Sequence, residues 1–241
     1  MHFPGADKIL KGAVSAITRG LGIWRPPAYA GHTRINNANG HCGALISLYM
    51  DSHMPAEQKK ILRDIMKEKR KILFQDHPNA GEKIVALFFN FFDLSPEAIV
   101  GGYWPMKSEL DIKPLLNKLL NKGFRCALPC ITSEGLIYRA WTSSTHLEKG
   151  TFHAFEPPST APVTIPNVLL VPLLAFDKEG HRLGYGQGHF DRFLHQHKVL
   201  TIGVGFKGQE VEKIPRQDHD FALDYILTEE GVVSRKKHSD F

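Results

Sequence analysis

The sequence predicts an α/β layer fold around a mainly parallel sheet. Helical and strand patterns alternate along the chain from about residue 55 onward. The strand candidates are strongly apolar, as in Val168–Leu174, and such runs are typical of strands that are buried on both faces of a sheet. Alternation of this kind favours helices that cross over between parallel strands.

The elements after residue 54 are predicted from hydrophobic periodicity and from chain breakers. Pro55-Ala56-Glu57 opens a helix, because Pro suits the first turn and Glu favours the positive end of the helix dipole. Ile84–Phe92 is a dense apolar run that periodicity alone does not assign, and we interpret it as a helix. Asp111–Asn121 is a helix that ends at Gly123, a residue suited to a C-cap. The remaining elements are a helix over Asp191–His197 and strands over Ala98–Tyr103, Phe124–Leu128, Leu136–Trp141, Val168–Leu174, Leu200–Val204 and Tyr225–Leu227.

Composition narrows the class of protein. The chain has 241 residues, of which 42% are apolar and 23% charged, values that are ordinary for a globular protein. No run approaches the roughly 18 to 20 apolar residues that a membrane span needs. Three cysteines are too few for a disulfide framework, so we expect a reducing, cytoplasmic compartment. We expect Cys126 and Cys130 to be buried free thiols.

The net charge of +5 lies mostly in the first 50 residues, which hold five basic residues and one acid, Asp7. Residues 1–54 show no sustained period, except for a possible short helix around Asp7–Ile17. Three interpretations stay open: a loosely ordered extension, an upstream region read from too early a start codon, or an organellar transit peptide. We therefore predict an extension over 1–54 and an α/β domain over 55–241. Because that domain is nearly neutral, the charge does not indicate a nucleic-acid partner.

The segment that follows Val168–Leu174 carries the chemistry. Glycines occupy positions 184, 186 and 188, directly before a predicted helix. Alternate glycines let the backbone approach an anion, and the helix N-terminus adds partial positive charge. Arg182 can supply a fixed cation, and Asp191 can face a Mg²⁺ ion held by phosphates. A structural turn explains the glycine spacing equally well, since it is neither the dinucleotide fingerprint nor a Walker motif.

The amino-acid sequence of the whole segment is a more specific signal than the glycine spacing alone. It resembles the signature of the 5-formyltetrahydrofolate cyclo-ligase family. The matching residues are Pro172, Ala175, Phe176, Asp177, Gly180, Arg182, Leu183, Gly184, Gly186, Gly188, Phe190 and Asp191. Further similar tracts occur in the family's order, at Lys59–Arg63, Tyr103–Asp111, Gly150–Pro157 and His219–Tyr225. The resemblance covers about residues 55–230.

The resemblance implies a three-layer, Rossmann-like single domain and an ATP-dependent cyclisation. In that reaction the formyl oxygen of 5-formyltetrahydrofolate attacks the γ-phosphate of ATP. The neighbouring folate nitrogen then closes the ring, and 5,10-methenyltetrahydrofolate, ADP and phosphate are released. The implied cofactors are ATP and Mg²⁺. The implied partner is the small-molecule folate alone, without nucleic acid or membrane, and the implied state is a monomer.

The same resemblance implies roles for individual residues. The catalytic cations would be Lys59, Arg63 and Arg182. The folate contacts would be Glu109, Trp104 and Tyr185, and the Mg²⁺ ligands Asp191 and Asp220. The ATP contacts would be Lys59, Lys60, Arg63, Arg182, Leu183, Gly184, Tyr185, Gly186, Gln187, Gly188, His189 and Phe190.

Several alternatives stay open at this point. The choice between Lys59 and Lys60 rests only on helix register. The roles of Gln187 and His189 are open, since many members have Lys or Gly and a second Tyr there. Taken alone, the basic residues could form a solvated helix face, and Glu109 could simply complement a helix dipole. The rival function is a non-catalytic folate-, nucleotide- or RNA-binding protein of the same fold.

Overall fold

The structure is a computed structural model that describes residues 55–150, 154–216 and 220–235. The predicted N-terminal extension and its short helix lie outside the described residues, as do Thr151, Phe152 and His219 from the family-like tracts. No helix within the described ranges combines the length and the apolar character that crossing a membrane requires.

Helices and strands alternate in the described part of the chain, as the sequence predicts. The α-helices are α1 (Pro55–Asp76), α2 (Ala80–Phe91), α3 (Lys113–Asn121) and α4 (His189–Gln196). The strands are β1 (Ile99–Gly101), β2 (Arg125–Thr132), β3 (Gly135–Trp141), β4 (Glu148–Lys149), β5 (Phe155–Glu156), β6 (Val168–Pro172), β7 (Ala175–Phe176), β8 (Arg182–Leu183), β9 (Leu200–Val204), β10 (Tyr225–Thr228) and β11 (Gly231–Ser234).

A seven-stranded sheet forms the centre of the domain, in the order β11-β10-β9-β6-β1-β2-β3. The five inner strands run parallel to one another. Antiparallel strands β3 and β11 cover the two edges. The prediction of a mainly parallel α/β sheet is therefore confirmed.

Apolar side chains on both faces of the sheet create three layers. On β6, Val168 and Leu170 point into a core cluster that contains Ile84 of α2 and Leu116 of α3. The intervening Leu169 and Val171 point into a second cluster with Phe193 and Leu194 of α4. Strand alternation thus places α2 and α3 on one face and α4 on the other.

The structure contains strands that the sequence analysis did not predict, among them the pair β4 and β5, and it extends one that was predicted. Strand β2 continues past Leu128 to Thr132. Proline has no N–H to donate to a neighbouring strand, and Pro129 is tolerated within β2 because β1 ends opposite Ala127 and leaves position 129 without a partner on that side. Strand β11 was not predicted, and it returns antiparallel to β10. The segment between β6 and the glycines is not a simple loop, since β7 and β8 pair there as a short antiparallel ribbon.

Cys126 and Cys130 are buried free thiols, as expected. Both lie on β2, four residues apart, which separates their Cα atoms by about 13 Å at the usual rise of a strand. A disulfide needs Cα atoms within about 7 Å. Burial raises the pKa of the Cys130 thiol to about 11, so it stays protonated at neutral pH.

The topology brings two predicted site segments to one edge of the sheet. Strands β1 and β6 are adjacent and parallel, so their carboxyl ends lie side by side. The loop after β1 carries Trp104 and Glu109, and the ribbon after β6 carries Arg182 and the glycines. In open α/β sheets, ligands bind at such a carboxyl edge.

Candidate active site

Helix α1 supplies a row of side chains to the site. Lys59, Arg63, Met66 and Arg70 are spaced by four, three and four residues, which places them on one helix face. Lys59 and Arg70 are only 5% and 3% exposed, although both carry charge. Met66 anchors the middle of the row in a small apolar cluster with Leu183.

The helix register separates Lys59 from Lys60. Lys59 is buried and forms an ion pair with Asp220, with 2.7 Å between its Nζ and Oδ1. Lys60, one residue on, is exposed. Of these two lysines, only Lys59 faces the row formed by Arg63 and Arg70.

The glycine loop, residues 184–188, passes directly against α1. The Arg63 Nε donates a hydrogen bond to the carbonyl oxygen of Gly184 at 2.9 Å. Gly186 has φ of 97°, and a Cβ there would lie 3.1 Å from the Arg63 guanidinium carbon. Burial lowers the pKa of Arg63, an effect that Asp220 opposes. The loop needs glycine at 186 both for its backbone angle and for contact with Arg63.

Gly188 ends the loop and begins α4. It is the N-cap residue of α4, with φ of 66° in the left-handed region. Helix α4 therefore directs the N–H groups of its first turn toward the loop, and Asp191 occupies that turn. Gln187 is exposed, and His189 is half-buried with its Nδ1 3.0 Å from the Arg192 guanidinium. Burial, together with Arg192, lowers the pKa of His189.

Arg182 and Asp191 form an ion pair below the loop. The Arg182 Nη2 donates to the Asp191 Oδ1 at 2.8 Å, and its Nη1 donates to the Phe221 carbonyl at 3.1 Å. Burial lowers the pKa of Arg182, and Asp191 opposes that effect. The Phe221 N–H also approaches the Asp191 Oδ1 at 3.4 Å, which places neighbouring Asp220 beside this pair. Two cations and two carboxylates are thus grouped next to a helix N-terminus.

A second group of polar residues contacts the glycine loop at Tyr185. Glu109 is 3% exposed, and its Oε2 accepts a hydrogen bond from the Met106 N–H at 2.8 Å. Its Oε1 accepts a hydrogen bond from the Tyr185 hydroxyl at 2.9 Å. Burial raises the pKa of Glu109, and the Met106 N–H and Arg70 oppose this effect. Burial also raises the pKa of Tyr185 to about 12, with a further contribution from Glu109.

Arg70 completes this second group, and the sequence analysis did not identify it. Its Nη2 donates to the Tyr185 hydroxyl at 2.6 Å, and its Nε donates to the Ser108 hydroxyl at 3.2 Å. The helical spacing from Lys59 and Arg63 was a signal in the sequence that could have revealed it. Its partners lie 38 and 115 residues further along the chain, and no sequence pattern predicts them.

Other predicted residues contribute less directly to the site. Trp104 is half-buried, its ring lies 6.0 Å from that of Trp141, and Lys113 lies over it. The Leu183 side chain is 1% exposed and packs against Met66, so only its backbone could reach a nucleotide. Phe190 packs at the border of the α4 core cluster.

Asp177 has a structural role within the glycine-loop signature. Its carboxylate is 1% exposed and accepts hydrogen bonds from the backbone N–H groups of Glu179, His181 and Ile214, each at 3.0 Å. These bonds fix the turn between β7 and β8. Arg182, the first residue of β8, is thereby held at the start of the glycine loop.

Asp191 and Asp220 have the chemistry that a Mg²⁺ ion requires. Carboxylate oxygens are hard ligands, and Mg²⁺ commonly uses one or two of them together with substrate phosphates. Among the described residues there is no group of three or more metal-ligating side chains. Two carboxylates near a glycine loop and a helix N-terminus therefore fit a magnesium site shared with substrate phosphates better than a site made by protein alone.

Known proteins share both the sequence and the fold of this chain. The 5-formyltetrahydrofolate cyclo-ligase of Haemophilus influenzae is 25% identical over 181 residues, which cover 71% of this chain and 97% of that protein. The enzyme of the same name from Mycolicibacterium smegmatis is 35% identical over 148 residues, covering 56% of this chain and 76% of that protein.

A solved structure agrees with these relatives. The structure of Aquifex aeolicus 5,10-methenyltetrahydrofolate synthetase superimposes with a TM-score of 0.67 at 29% identity, covering 76% of this chain and 95% of that one. The sequence profile of the 5-formyltetrahydrofolate cyclo-ligase family matches residues 55–229, which include α1, the glycine loop and Asp220. The chain belongs to the 5-formyltetrahydrofolate cyclo-ligase family, a family of ligases.

Proposed function

We propose that this protein catalyses the ATP-dependent cyclisation of 5-formyltetrahydrofolate to 5,10-methenyltetrahydrofolate, with release of ADP and phosphate. One observation carries the proposal: α1 brings Lys59 to Asp220 and Arg63 to the glycine loop, and this loop opens directly into the N-terminus of α4. Fixed cations, backbone N–H groups and a helix dipole then converge on one volume suited to phosphate groups.

The cationic side of the site would bind ATP. Lys59, Arg63 and Arg182 are the cations that would face its phosphates, and the loop backbone from Gly184 to Gly188 would cradle them. Lys59 is paired with Asp220 and Arg182 with Asp191. Incoming phosphates would share these two cations with the carboxylates. Gln187 and His189 have hydrogen-bonding groups at the same loop and would add neutral contacts.

The Glu109 side of the site would bind the folate. A buried carboxylate recognises N–H donors well, and the pterin ring carries such donors at its edge. Tyr185 and Trp104 supply aromatic surface on this side, which suits a flat heterocycle. The glycine loop contacts Arg63 through Gly184 and Glu109 through Tyr185, so the formyl group would meet the γ-phosphate beside this loop.

The chemistry needs positioning and charge neutralisation more than a protein nucleophile. The formyl oxygen forms a bond to the γ-phosphorus while the bond to ADP breaks. The neighbouring folate nitrogen then adds to the activated carbon, loses its proton, and phosphate departs with the former formyl oxygen. The cations above would stabilise the charge that develops on the transferred phosphoryl group.

Asp191 and Asp220 would hold a Mg²⁺ ion in this site. When bound, the ion would neutralise phosphate charge next to Arg182 and Lys59. The backbone N–H of Phe221, one residue after Asp220, bonds the Asp191 Oδ1 at 3.4 Å, which would bring both aspartates to one ion.

The remaining expectations belong to the same proposal. A substrate of this kind is a small molecule, and the proposal includes no nucleic acid, no membrane and a monomeric state. A cytoplasmic location is in keeping with the two buried thiols of β2. The rival function, a non-catalytic binder, gains no support from relatives that are named as ligases.

The test is a direct assay. Purified protein is mixed with 5-formyltetrahydrofolate, ATP and Mg²⁺, and the near-ultraviolet absorbance of the methenyl product is followed. We expect a rise that needs both ATP and Mg²⁺ and that EDTA abolishes. A folded protein that produces no ATP-dependent rise would contradict the proposal. A rise with ATP that EDTA leaves unchanged would contradict only the magnesium site.

A further inference from the structure

Four residues from three separate parts of the chain meet beside the proposed folate site. Arg70 lies on α1, Ser108 and Glu109 lie on the loop after β1, and Tyr185 lies on the glycine loop. We call these residues the Arg70 cluster. Arg70, Ser108 and Glu109 are each less than 9% exposed. Tyr185 is 41% exposed, so the cluster connects the helix, the folate-side loop and the phosphate-side loop at a point that is buried at Arg70 and open at Tyr185.

The Tyr185 hydroxyl is the bridge of the Arg70 cluster. It accepts a hydrogen bond from the Arg70 Nη2 at 2.6 Å and donates one to the Glu109 Oε1 at 2.9 Å. The direct contact between Arg70 and Glu109 is longer, with 3.7 Å between Nη1 and Oε1. That distance exceeds a hydrogen bond. The cation and the carboxylate are thus linked mainly through a residue of the glycine loop.

This arrangement is unusual for a buried ion pair with only a structural role. Arginine and carboxylate groups normally meet directly, often through two parallel hydrogen bonds. Here the Arg70 Nη1 is buried and has no hydrogen-bond partner among residues 55–150, 154–216 and 220–235. Buried donors in folded proteins are nearly always paired. We therefore expect this donor to gain a partner when a polar ligand arrives beside Glu109.

Helix α1 also contacts the glycine loop at a second point. The Arg63 Nε bonds the Gly184 carbonyl, one residue before the Tyr185 that Arg70 bonds. Arg63 and Arg70 lie on the same face of one continuous helix. A movement of the loop toward ATP phosphates would therefore be transmitted to the Tyr185 hydroxyl, and through it to Glu109.

We propose that Arg70 is a positioning residue that couples the two substrate sites, because it ties the phosphate-binding loop to Glu109 through Tyr185. This inference rests on the proposed function, since it concerns the binding of ATP and folate. Each substrate then binds more tightly when the other is present. Thermodynamic linkage requires the enhancement to be the same in both directions.

The experiment measures this enhancement directly by isothermal titration calorimetry. A non-hydrolysable ATP analogue is titrated with Mg²⁺ into the full chain, alone and with saturating 5-formyltetrahydrofolate. For the wild type we expect the folate to tighten analogue binding by about fivefold or more, the lower end of typical coupling. In Arg70→Gln we expect the enhancement to vanish, whereas binding of the analogue alone changes little.

Three further variants separate positioning from simple structural support. Tyr185→Phe removes the bridging hydroxyl and should also abolish the enhancement. Arg70→Lys keeps the charge but lacks the planar fork whose Nε and Nη2 reach Ser108 and Tyr185, so this variant should bind folate more tightly than Arg70→Gln and still lack the enhancement. The matched control is Lys71→Gln, since Lys71 is exposed and, within the described part of the chain, forms its ion pair with Glu68 on the helix surface. This control should keep the wild-type enhancement.

The outcomes are distinguishable, with thermal melting to confirm that each variant folds. Wild-type enhancement in both Arg70→Gln and Tyr185→Phe would overturn the inference. A wild type that turns over its substrates but binds them independently would overturn the inference and leave the proposed function intact. A folded wild type that binds neither ligand and forms no product would overturn both.

Discussion

At the scale of a single residue, Arg182 tests how much one buried cation contributes to catalysis at this site. It is 8% exposed and donates to Asp191 and to the Phe221 carbonyl. Arg182→Ala is expected to lower kcat/KM by about 10²- to 10³-fold, the usual loss when one transition-state donor is removed. Steady-state kinetics check this, with Arg125→Ala as the control, because Arg125 is an exposed arginine at the amino end of β2. Equal activity in both variants would show that the phosphate site lies elsewhere.

Glu109 should make stability and binding depend on pH in opposite ways. Burial raises its pKa, so the folded state holds the proton more tightly than the unfolded state. The protonated form therefore adds stability below the unfolded pKa, and that stability is lost as pH rises through the folded pKa. Folate binding has the reverse dependence, because the ionised carboxylate is the form that accepts the pterin N–H groups.

The measurement compares the wild type with Glu109→Gln, in which position 109 does not titrate. The free energy of unfolding, from urea denaturation at several pH values, should rise for the wild type relative to the variant as pH falls from neutral toward 4. The other carboxylates are common to both proteins, so their effects cancel in the difference. A difference that is constant with pH would mean that burial does not perturb Glu109.

At the scale of one element, the register of α1 decides which lysine is buried in the candidate site. Lys59 is buried and paired, and Lys60 is exposed. Lys59→Gln should raise the KM for ATP by about 10- to 100-fold, the effect of losing one charge-assisted hydrogen bond. Lys60→Gln should raise it far less. Equal effects would indicate that the phosphates lie along the outer face of the helix.

The glycine loop offers a second prediction at this scale. Gly186→Ala would place a side chain at φ of 97° and against Arg63, which costs about 1–2 kcal/mol for the backbone alone. Gly184 is the matched comparison, because a Cβ there would meet nothing within 4 Å. Differential scanning calorimetry should therefore show a lower Tm for Gly186→Ala than for Gly184→Ala. Equal Tm values would mean that the loop adopts a different backbone in solution.

At the scale of the whole molecule, the sequence predicts a domain that begins at residue 55, and we propose that this domain folds and acts without the residues before it. The family match also begins at residue 55. We therefore expect a chain that starts at Met54 to retain the Tm and the kcat/KM of the full chain. Loss of folding in the shortened chain would show that residues 1–53 are part of the domain.

Much of the fold could be predicted because its signals are local. The apolar runs of β6 and β9 and the breakers around α1 and α3 act within a few residues of each element. β11 was missed because it is short and only half-buried, so its apolar pattern is weak. The β7–β8 ribbon was missed because Asp177, rather than a hydrophobic pattern, holds its turn.

The sequence alone determined the layered α/β class, the position of the glycine loop and the charged residues around it, because these depend on periodicity, backbone freedom and residue type. Only the tertiary structure decided that Lys59 rather than Lys60 faces the site, and that Arg70, Tyr185 and Glu109 meet. Those contacts join residues separated by as many as 115 positions. They arise because β1 and β6 pair side by side and α1 packs along the glycine loop, which no local pattern encodes.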